Sequence, residues 1–192
     1  PRSDSSAASD VYKRQNKGKV ITLGIGKSSF IAMKMAATLS STGTAALFLH
    51  PVDALHGDVG VIKKNDVVII YSNSGETQEV IKLLPLLKLL KCYIISITGN
   101  LSSSLAKYSN ISLDASVTRE ACPHNLAPTS SIICALALSD ALALAVSVQN
   151  NFSIKDFAKT HPGGAIGKRL MVTVSNIMIK GCLLYTSPSP RD

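Results

Sequence analysis

Five short apolar runs, each followed by a turn and a segment of helical spacing, constrain this chain more than anything else in it. They are Val20–Leu23, Ala45–Leu49, Val67–Tyr71, Tyr93–Thr98 and Ile111–Leu113. An apolar run rich in β-branched residues reads as a buried strand. The spacing between the runs predicts helices over Ser28–Ser41, Glu76–Leu90 (with a kink at Pro85), Ser102–Tyr108, Thr129–Gln149 and Ile154–Lys159. One further helical turn is expected near Val52–Gly57. Such strand–helix alternation argues for an α/β fold: a parallel sheet covered by helices on both faces and doubly wound by right-handed crossovers. Ligands of these sheets sit outside the carboxyl ends of the strands, where the loops after strands one, two, three and five fall.

The loop after strand three carries the sharpest signal. Ser72-Asn73-Ser74-Gly75-Glu76-Thr77 joins a buried strand to a helix. Its free backbone N–H groups and hydroxyls stand at the positive end of a helix dipole, which suits a phosphate. Ser72, Ser74 and Thr77 can each donate to a phosphate oxygen. An ordinary Ser/Thr helix cap has the same look.

Gly24-Ile25-Gly26-Lys27-Ser28 suggests a nucleotide loop but fails both tests. A P-loop needs Gly five residues before Gly26, where Ile21 stands. A dinucleotide fingerprint needs a third Gly, where Ser29 stands, and an acid at the end of strand two, where His50 stands. What survives is a tight turn that brings Lys27 and Ser28 to the edge of the sheet. His50 and His56 share a loop with Asp53 and Asp58; this group suits a divalent metal, sugar hydroxyls, or plain structural hydrogen bonds. Glu76 and Glu79 lie on one face of a helix start, where acids also cap dipoles. Glu120 precedes Ala127-Pro128-Thr129-Ser130-Ser131, a helix start rich in capping hydroxyls, and a partly desolvated carboxylate there could serve as a base. His161 stands alone before Pro162-Gly163-Gly164.

Bulk properties exclude several classes. The net charge of +8 comes from scattered Lys and Arg without a dense run or interleaved aromatics, so a small anionic substrate fits at least as well as nucleic acid, and no nucleic-acid partner is expected. Ile132–Val148 is interrupted by Ser139 and Asp140 and reads as a buried helix rather than a membrane span. Cys92, Cys122, Cys134 and Cys182 lack metal-type spacing and are expected as reduced thiols of a cytoplasmic protein. Residues 1–15 and 179–192 are polar, aperiodic and unlike the rest. They resemble translated adaptor sequence and are expected to be without structure, with the folded domain over 16–178.

Taken together, VITLGIGKS, KMAATLSSTGT, HPVDALHGD, VVIIYSNSGET, REACPHNLAPTSS, SDALALA and DFAKTHPGGAIGKRL resemble the sugar isomerase (SIS) domain, and within it the arabinose-5-phosphate isomerase family. SNSGET marks the superfamily; REAC, LAPTSS and HPGGA are more specific. The resemblance implies a flavodoxin-like five-stranded sheet and interconversion of ribulose 5-phosphate and arabinose 5-phosphate, the entry to Kdo for lipopolysaccharide or capsule. It implies catalytic roles for Lys27, Glu79, Glu120 and His161, and substrate contacts at Ser28, Gly43, Thr44, His50, His56, Ser72, Ser74 and Thr77. It places an inhibitory zinc at His50, requires no cofactor for turnover, and implies a homo-oligomer, dimer or tetramer, in which His161 reaches a neighbour's pocket.

The chain also departs from the family. GKSS replaces GKSG, crowding the first helix at Ser29, and HPVDALHGD replaces HPGEAAHGD, adding bulk at Val52. The helix that usually precedes strand one and the pair of cystathionine-β-synthase-type domains that often follows are expected to be truncated. The chemistry would be an enediol isomerisation, with Glu120 as the carbon base (Glu79 or His161 as weaker candidates). Lys27 would steady the enediolate, His161 would move a proton between oxygens, and His56 would orient hydroxyls. A phosphosugar-binding regulator and an isomerase of a hexose phosphate are the alternative readings.

Overall fold

A computed structural model of the chain describes residues 4–15, 18–171, 175 and 178. Strands β1 (Val20–Gly24), β2 (Ala46–Phe48), β3 (Val67–Tyr71), β4 (Tyr93–Thr98) and β5 (Ile111–Asp114) pair in parallel, in the order β2-β1-β3-β4-β5. That is the doubly wound order of flavodoxin, whose switch point lies between β1 and β3. The helices are α1 (Asp4–Gln15), α2 (Lys27–Ser41), α3 (Pro51–Leu55), α4 (Gln78–Leu89), α5 (Ser104–Tyr108), α6 (Ser130–Gln149), α7 (Ile154–Thr160) and α8 (Ala165–Met171). The chain forms two compact units, residues 1–152 and 153–192.

Strand periodicity divides the core of the first unit. Val67, Ile69 and Tyr71 of β3 face one layer with Ile95 and Ile97, against Met35 and Leu39 of α2 and Leu142 and Val146 of α6. Val68 and Ile70 face the other, with Ile21, Leu23 and Ile94, against Val80, Leu83, Leu84 and Leu87 of α4. Both faces of the central strands are therefore dry, which explains why their sequence is continuously apolar. Each such side chain contributes about 1.5–3 kcal/mol by leaving water.

Several expectations are revised. Asp4–Gln15 is a helix rather than a structureless tail: Ala7, Ala8 and Val11 are fully buried in the α2/α6 layer, and Asp10 accepts a hydrogen bond from the Tyr93 hydroxyl at 2.6 Å. A helix thus does precede β1. Docking supplies what its weak apolar pattern lacks. Helix α8 follows His161, where the sequence reading placed none. The expected tail at 179–192 lies outside the described residues.

Helix α6 is 20 residues long with mean hydropathy 2.1, so by length and composition it does reach a membrane span. Its two polar interruptions have partners in the fold. The Ser139 hydroxyl pairs with the buried Tyr71 hydroxyl at 2.8 Å, and Asp140 pairs with Lys34. Its buried face packs on the sheet, which is the position of a core helix. Cys92, Cys122 and Cys134 carry free thiols.

At the amino edge of the sheet, buried Asp66 accepts from the Lys19 amide (2.9 Å), the Lys19 ammonium (2.7 Å) and the Lys63 amide (2.7 Å). Asp66→Ala would leave two main-chain donors without this acceptor. We expect a loss of about 2–4 kcal/mol, seen as a Tm roughly 5–15 °C lower. An unchanged melting curve would show that water replaces the carboxylate at no cost.

Candidate functional site

The register sets the ends of three strands side by side: Gly24 of β1 pairs with Tyr71 of β3, and Tyr71 with Ile97 of β4. Just beyond them opens a cavity of about 200 Å³ at the carboxyl edge and the switch point. Lys27 and Ser28 come from the start of α2, Ser72 and Asn73 from the loop after β3, Thr98 and Gly99 from the end of β4, and Ser131 from α6.

The β3–α4 loop is held from within. The Ser72 hydroxyl, almost fully buried, accepts from the Gly75 amide at 3.0 Å and pairs with the Thr77 hydroxyl at 2.9 Å. The Ser74 hydroxyl accepts from the Glu76 amide at 3.2 Å. Gly75 has φ 68°, and a Cβ there would run into Oγ and Cβ of Ser103. Only glycine satisfies both the backbone and the space. Glu76 accepts from the Ser104 amide at 2.6 Å, and that bond holds its carboxyl below the usual range. It ties the loop to α5 and takes no part in the cavity wall. Thr77 occupies the N-cap of α4 without capping it, because its hydroxyl is turned to Ser72. The first amides of this 12-residue helix, which form the positive end of its dipole, therefore have no side-chain cap from Thr77.

Glu120 is 8% exposed and sits behind Ser131. Its Oε2 accepts from the Thr129 amide (2.7 Å), the Thr129 hydroxyl (3.0 Å) and the Ser131 amide (3.2 Å). Its Oε1 accepts from the Ser131 hydroxyl. The Ser131 hydroxyl first, then the Thr129 amide, hold the carboxyl down at about 2. Glu120 is thus an ionised acceptor at the α6 N-terminus, and its resting basicity is low. The Glu120 amide is fixed in turn by Asn125 Oδ1 at 2.6 Å.

Of the residues expected at the site, Lys27, Ser28 and Ser72 line the cavity, Thr77 is bonded to Ser72, and Glu120 is one hydrogen bond behind the wall. Ser74 is exposed at the loop tip, and Glu79 stands half-buried in the first turn of α4. His50 caps α3, with its Nδ1 accepting from the Val52 amide at 3.3 Å, and His56 closes the same helix in solvent. In that arrangement the Nδ1 lone pair is taken by the Val52 amide, which leaves Nε2 as the ring position open to another partner. Among the described residues no group of three or more His, Cys, Asp or Glu could hold a metal ion.

Gly43 and Thr44 are not brought to this cavity. They precede β2, at the amino edge of the sheet, where Phe152 covers Gly43 and Asn150 donates to the Thr44 hydroxyl at 3.2 Å. The crowding expected at Ser29 does not arise, because its hydroxyl donates to the Gly26 carbonyl at 2.6 Å. Val52 points its added bulk to solvent.

His161 belongs to the second unit. Its ring stacks on Phe157 (centroids 3.9 Å apart, planes 19° apart), and its Nδ1 lies 2.9 Å from the Phe157 carbonyl. A carbonyl only accepts, so the proton sits on Nδ1 and Nε2 keeps the free lone pair.

Thr98, Gly99 and Ser131 were missed as cavity residues. Thr98 ends β4, the neighbour of β3, and Gly99 follows it; that position alone was a signal. Ser131 was read only as a capping hydroxyl.

The SIS domain family matches residues 14–145. Over 165 residues the chain is 53% identical to arabinose 5-phosphate isomerase KdsD of Pseudomonas aeruginosa, covering 86% of this chain and 51% of that protein. It is 54% identical over 167 residues to arabinose 5-phosphate isomerase KdsD of Francisella tularensis, covering 87% and 51%. The chain therefore spans about half the length of these relatives. The solved structure of E. coli CFT073 c3406 in complex with arabinose 5-phosphate superposes with a TM-score of 0.77 at 44% identity, covering 83% of this chain and 86% of that one.

Proposed function

Because the chain belongs to the SIS domain family, we propose that it is an aldose–ketose isomerase that interconverts D-ribulose 5-phosphate and D-arabinose 5-phosphate. The observation that carries the reading is a cavity of about 200 Å³ lined by Lys27, Ser28 and Ser72, with the Ser72 hydroxyl bonded to that of Thr77 at the uncapped start of α4. Relatives at 53% and 54% identity that bear the arabinose 5-phosphate isomerase name support the substrate. The product would enter Kdo synthesis for lipopolysaccharide or capsule, in the cytoplasm.

The proposed mechanism follows from the layout. The helix N-terminus and the Ser72, Ser74 and Thr77 hydroxyls seat the phosphate, which holds a short sugar with its carbonyl end deeper in the cavity. A proton leaves the carbon beside the carbonyl for Glu120, and the electron pair passes to the carbonyl oxygen as an enediolate. Lys27 steadies that charge from the rim. His161 Nε2 moves a proton between the two oxygens, and Glu120 returns its proton to the neighbouring carbon. No electrons leave the sugar, so no redox cofactor is needed. Zinc at His50 is proposed as an inhibitor that needs ligands besides the one ring.

The oligomer is proposed from α6. Ile133, Leu144 and Val148 are 64%, 57% and 76% exposed on a helix that is apolar all round, a pattern that calls for cover on every side. A second copy of the chain would supply it, and a single-chain mass by sedimentation would refute it. Two copies would also give a use to Gly43 and Thr44, which one chain does not gather at its cavity.

The reading is tested by assaying ribulose 5-phosphate and fructose 6-phosphate, each with and without a chelator. The expected result is turnover of the pentose ester alone, undiminished by chelation. Tight binding without turnover would favour a phosphosugar sensor, and preference for the hexose ester would move the substrate class.

A further inference from the structure

A carboxylate with four donors is a poor base at rest, and this conflicts with the role proposed for Glu120. The two oxygens are not equivalent, however. Oε2 takes three bonds, two of them from main-chain amides that cannot swing away. Oε1 takes the Ser131 hydroxyl, a rotor with freedom about one bond. Ser131 is also the one of the pair that lines the cavity, while Glu120 does not. The Thr129 hydroxyl cannot take its place, since it accepts from the Ala121 amide at 2.9 Å while donating to Oε2.

We propose that Ser131 is a positioning residue whose hydroxyl aims Glu120 Oε1 at the cavity and yields it when a sugar enters. Oε2 stays anchored to the α6 N-terminus throughout, so the carboxylate keeps its place while Oε1 gains the freedom to accept a proton. Rotation of the hydroxyl raises the basicity of Oε1 at the moment a carbon acid is beside it. In the resting protein the same hydroxyl holds the acid ionised. The groups bonded to this carboxylate are the hydroxyls and amides of residues 129 and 131, with no charged side chain among them, and together they outweigh burial, which acts the other way. Its basicity is therefore set by hydrogen bonding. The inference rests on the isomerase reading for its catalytic meaning, but its physical core does not.

The first test is a carbon-13 NMR titration of the Glu120 side chain in the unmodified protein and in Ser131→Ala. The parent carboxyl should stay ionised well below pH 4, and the variant should titrate about one pH unit higher. An ordinary carboxylate titration in the parent, or an unmoved one in the variant, overturns the proposal whether or not the protein is an isomerase. The second test is kinetic. Ser131→Ala should lower kcat about tenfold with KM unchanged, and an acidic limb should appear in its kcat/KM profile where the parent is flat. Ser131→Thr, which keeps the hydroxyl, should restore both. A Thr variant as impaired as the Ala variant, or a loss confined to KM, would contradict the assignment. Absence of turnover in the parent, with the NMR shift present, would refute the isomerase reading and leave the Ser131–Glu120 coupling standing.

Discussion

Gly75→Ala is expected to disrupt the phosphate seat proposed at the β3–α4 loop. The residue sits at φ 68°, and its missing Cβ would fall on Ser103 Oγ. The backbone term alone is about 1–2 kcal/mol, and forcing a methyl into a filled site adds roughly 1–3 kcal/mol. Relief can come only by moving the loop or α5, because the Gly75 carbonyl also accepts from the Leu105 amide at 3.1 Å. Either movement pulls the Gly75 amide off Ser72 and the Ser72–Thr77 pair off the helix end. A displacement of about 1 Å is enough to cost on the order of a hundredfold in kcat/KM. Urea unfolding and kinetics on the pentose ester measure the two parts. A variant with parental stability and parental kcat/KM would show that neither the loop conformation nor its packing matters.

Glu120→Gln should abolish most turnover while leaving the fold intact. The amide is isosteric, and its oxygen can keep the three bonds that Oε2 now accepts. Its NH2 then meets the Ser131 hydroxyl, which can turn from donor to acceptor. The helix start is preserved, but the proton acceptor is gone. A loss on the order of a thousandfold in kcat is expected, with KM within a few-fold and an unchanged melting curve. Near-normal kcat would remove Glu120 from the base role and pass it to Glu79 or His161.

The sheet was legible because its two-sided burial leaves a plain mark. All five residues of β3 are buried, so the sequence there runs apolar without a break. The position of the Ser72–Thr77 loop was legible for a related reason: hydroxyls and glycine end the apolar run of β3 before the helical spacing of α4 begins. Helix α1 was not legible, since three apolar residues within a Ser- and Ala-rich stretch carry little periodicity, and the helix exists by docking on α6. The apolar character of α6 was underestimated because Ser139 and Asp140 read as breaks until Tyr71 and Lys34 supply their partners.

Placement of the site residues was legible in part. Lys27, Ser28 and Ser72 follow strand ends and were read at the correct edge. Gly43 and Thr44 precede a strand, and in a parallel sheet that position alone puts them at the opposite edge. That Glu120 caps a helix beginning ten residues later could not be read, because the intervening loop has no fixed geometry in sequence.

A crystal structure with arabinose 5-phosphate bound tests the central claim most directly. The account predicts the phosphate against the first amides of α4 and the Ser72 and Thr77 hydroxyls, with the sugar's first two carbons facing Ser131 and Glu120 Oε1. A phosphate lodged elsewhere, for example among Lys63, Lys64 and Lys91 at the groove beside α4, would contradict it.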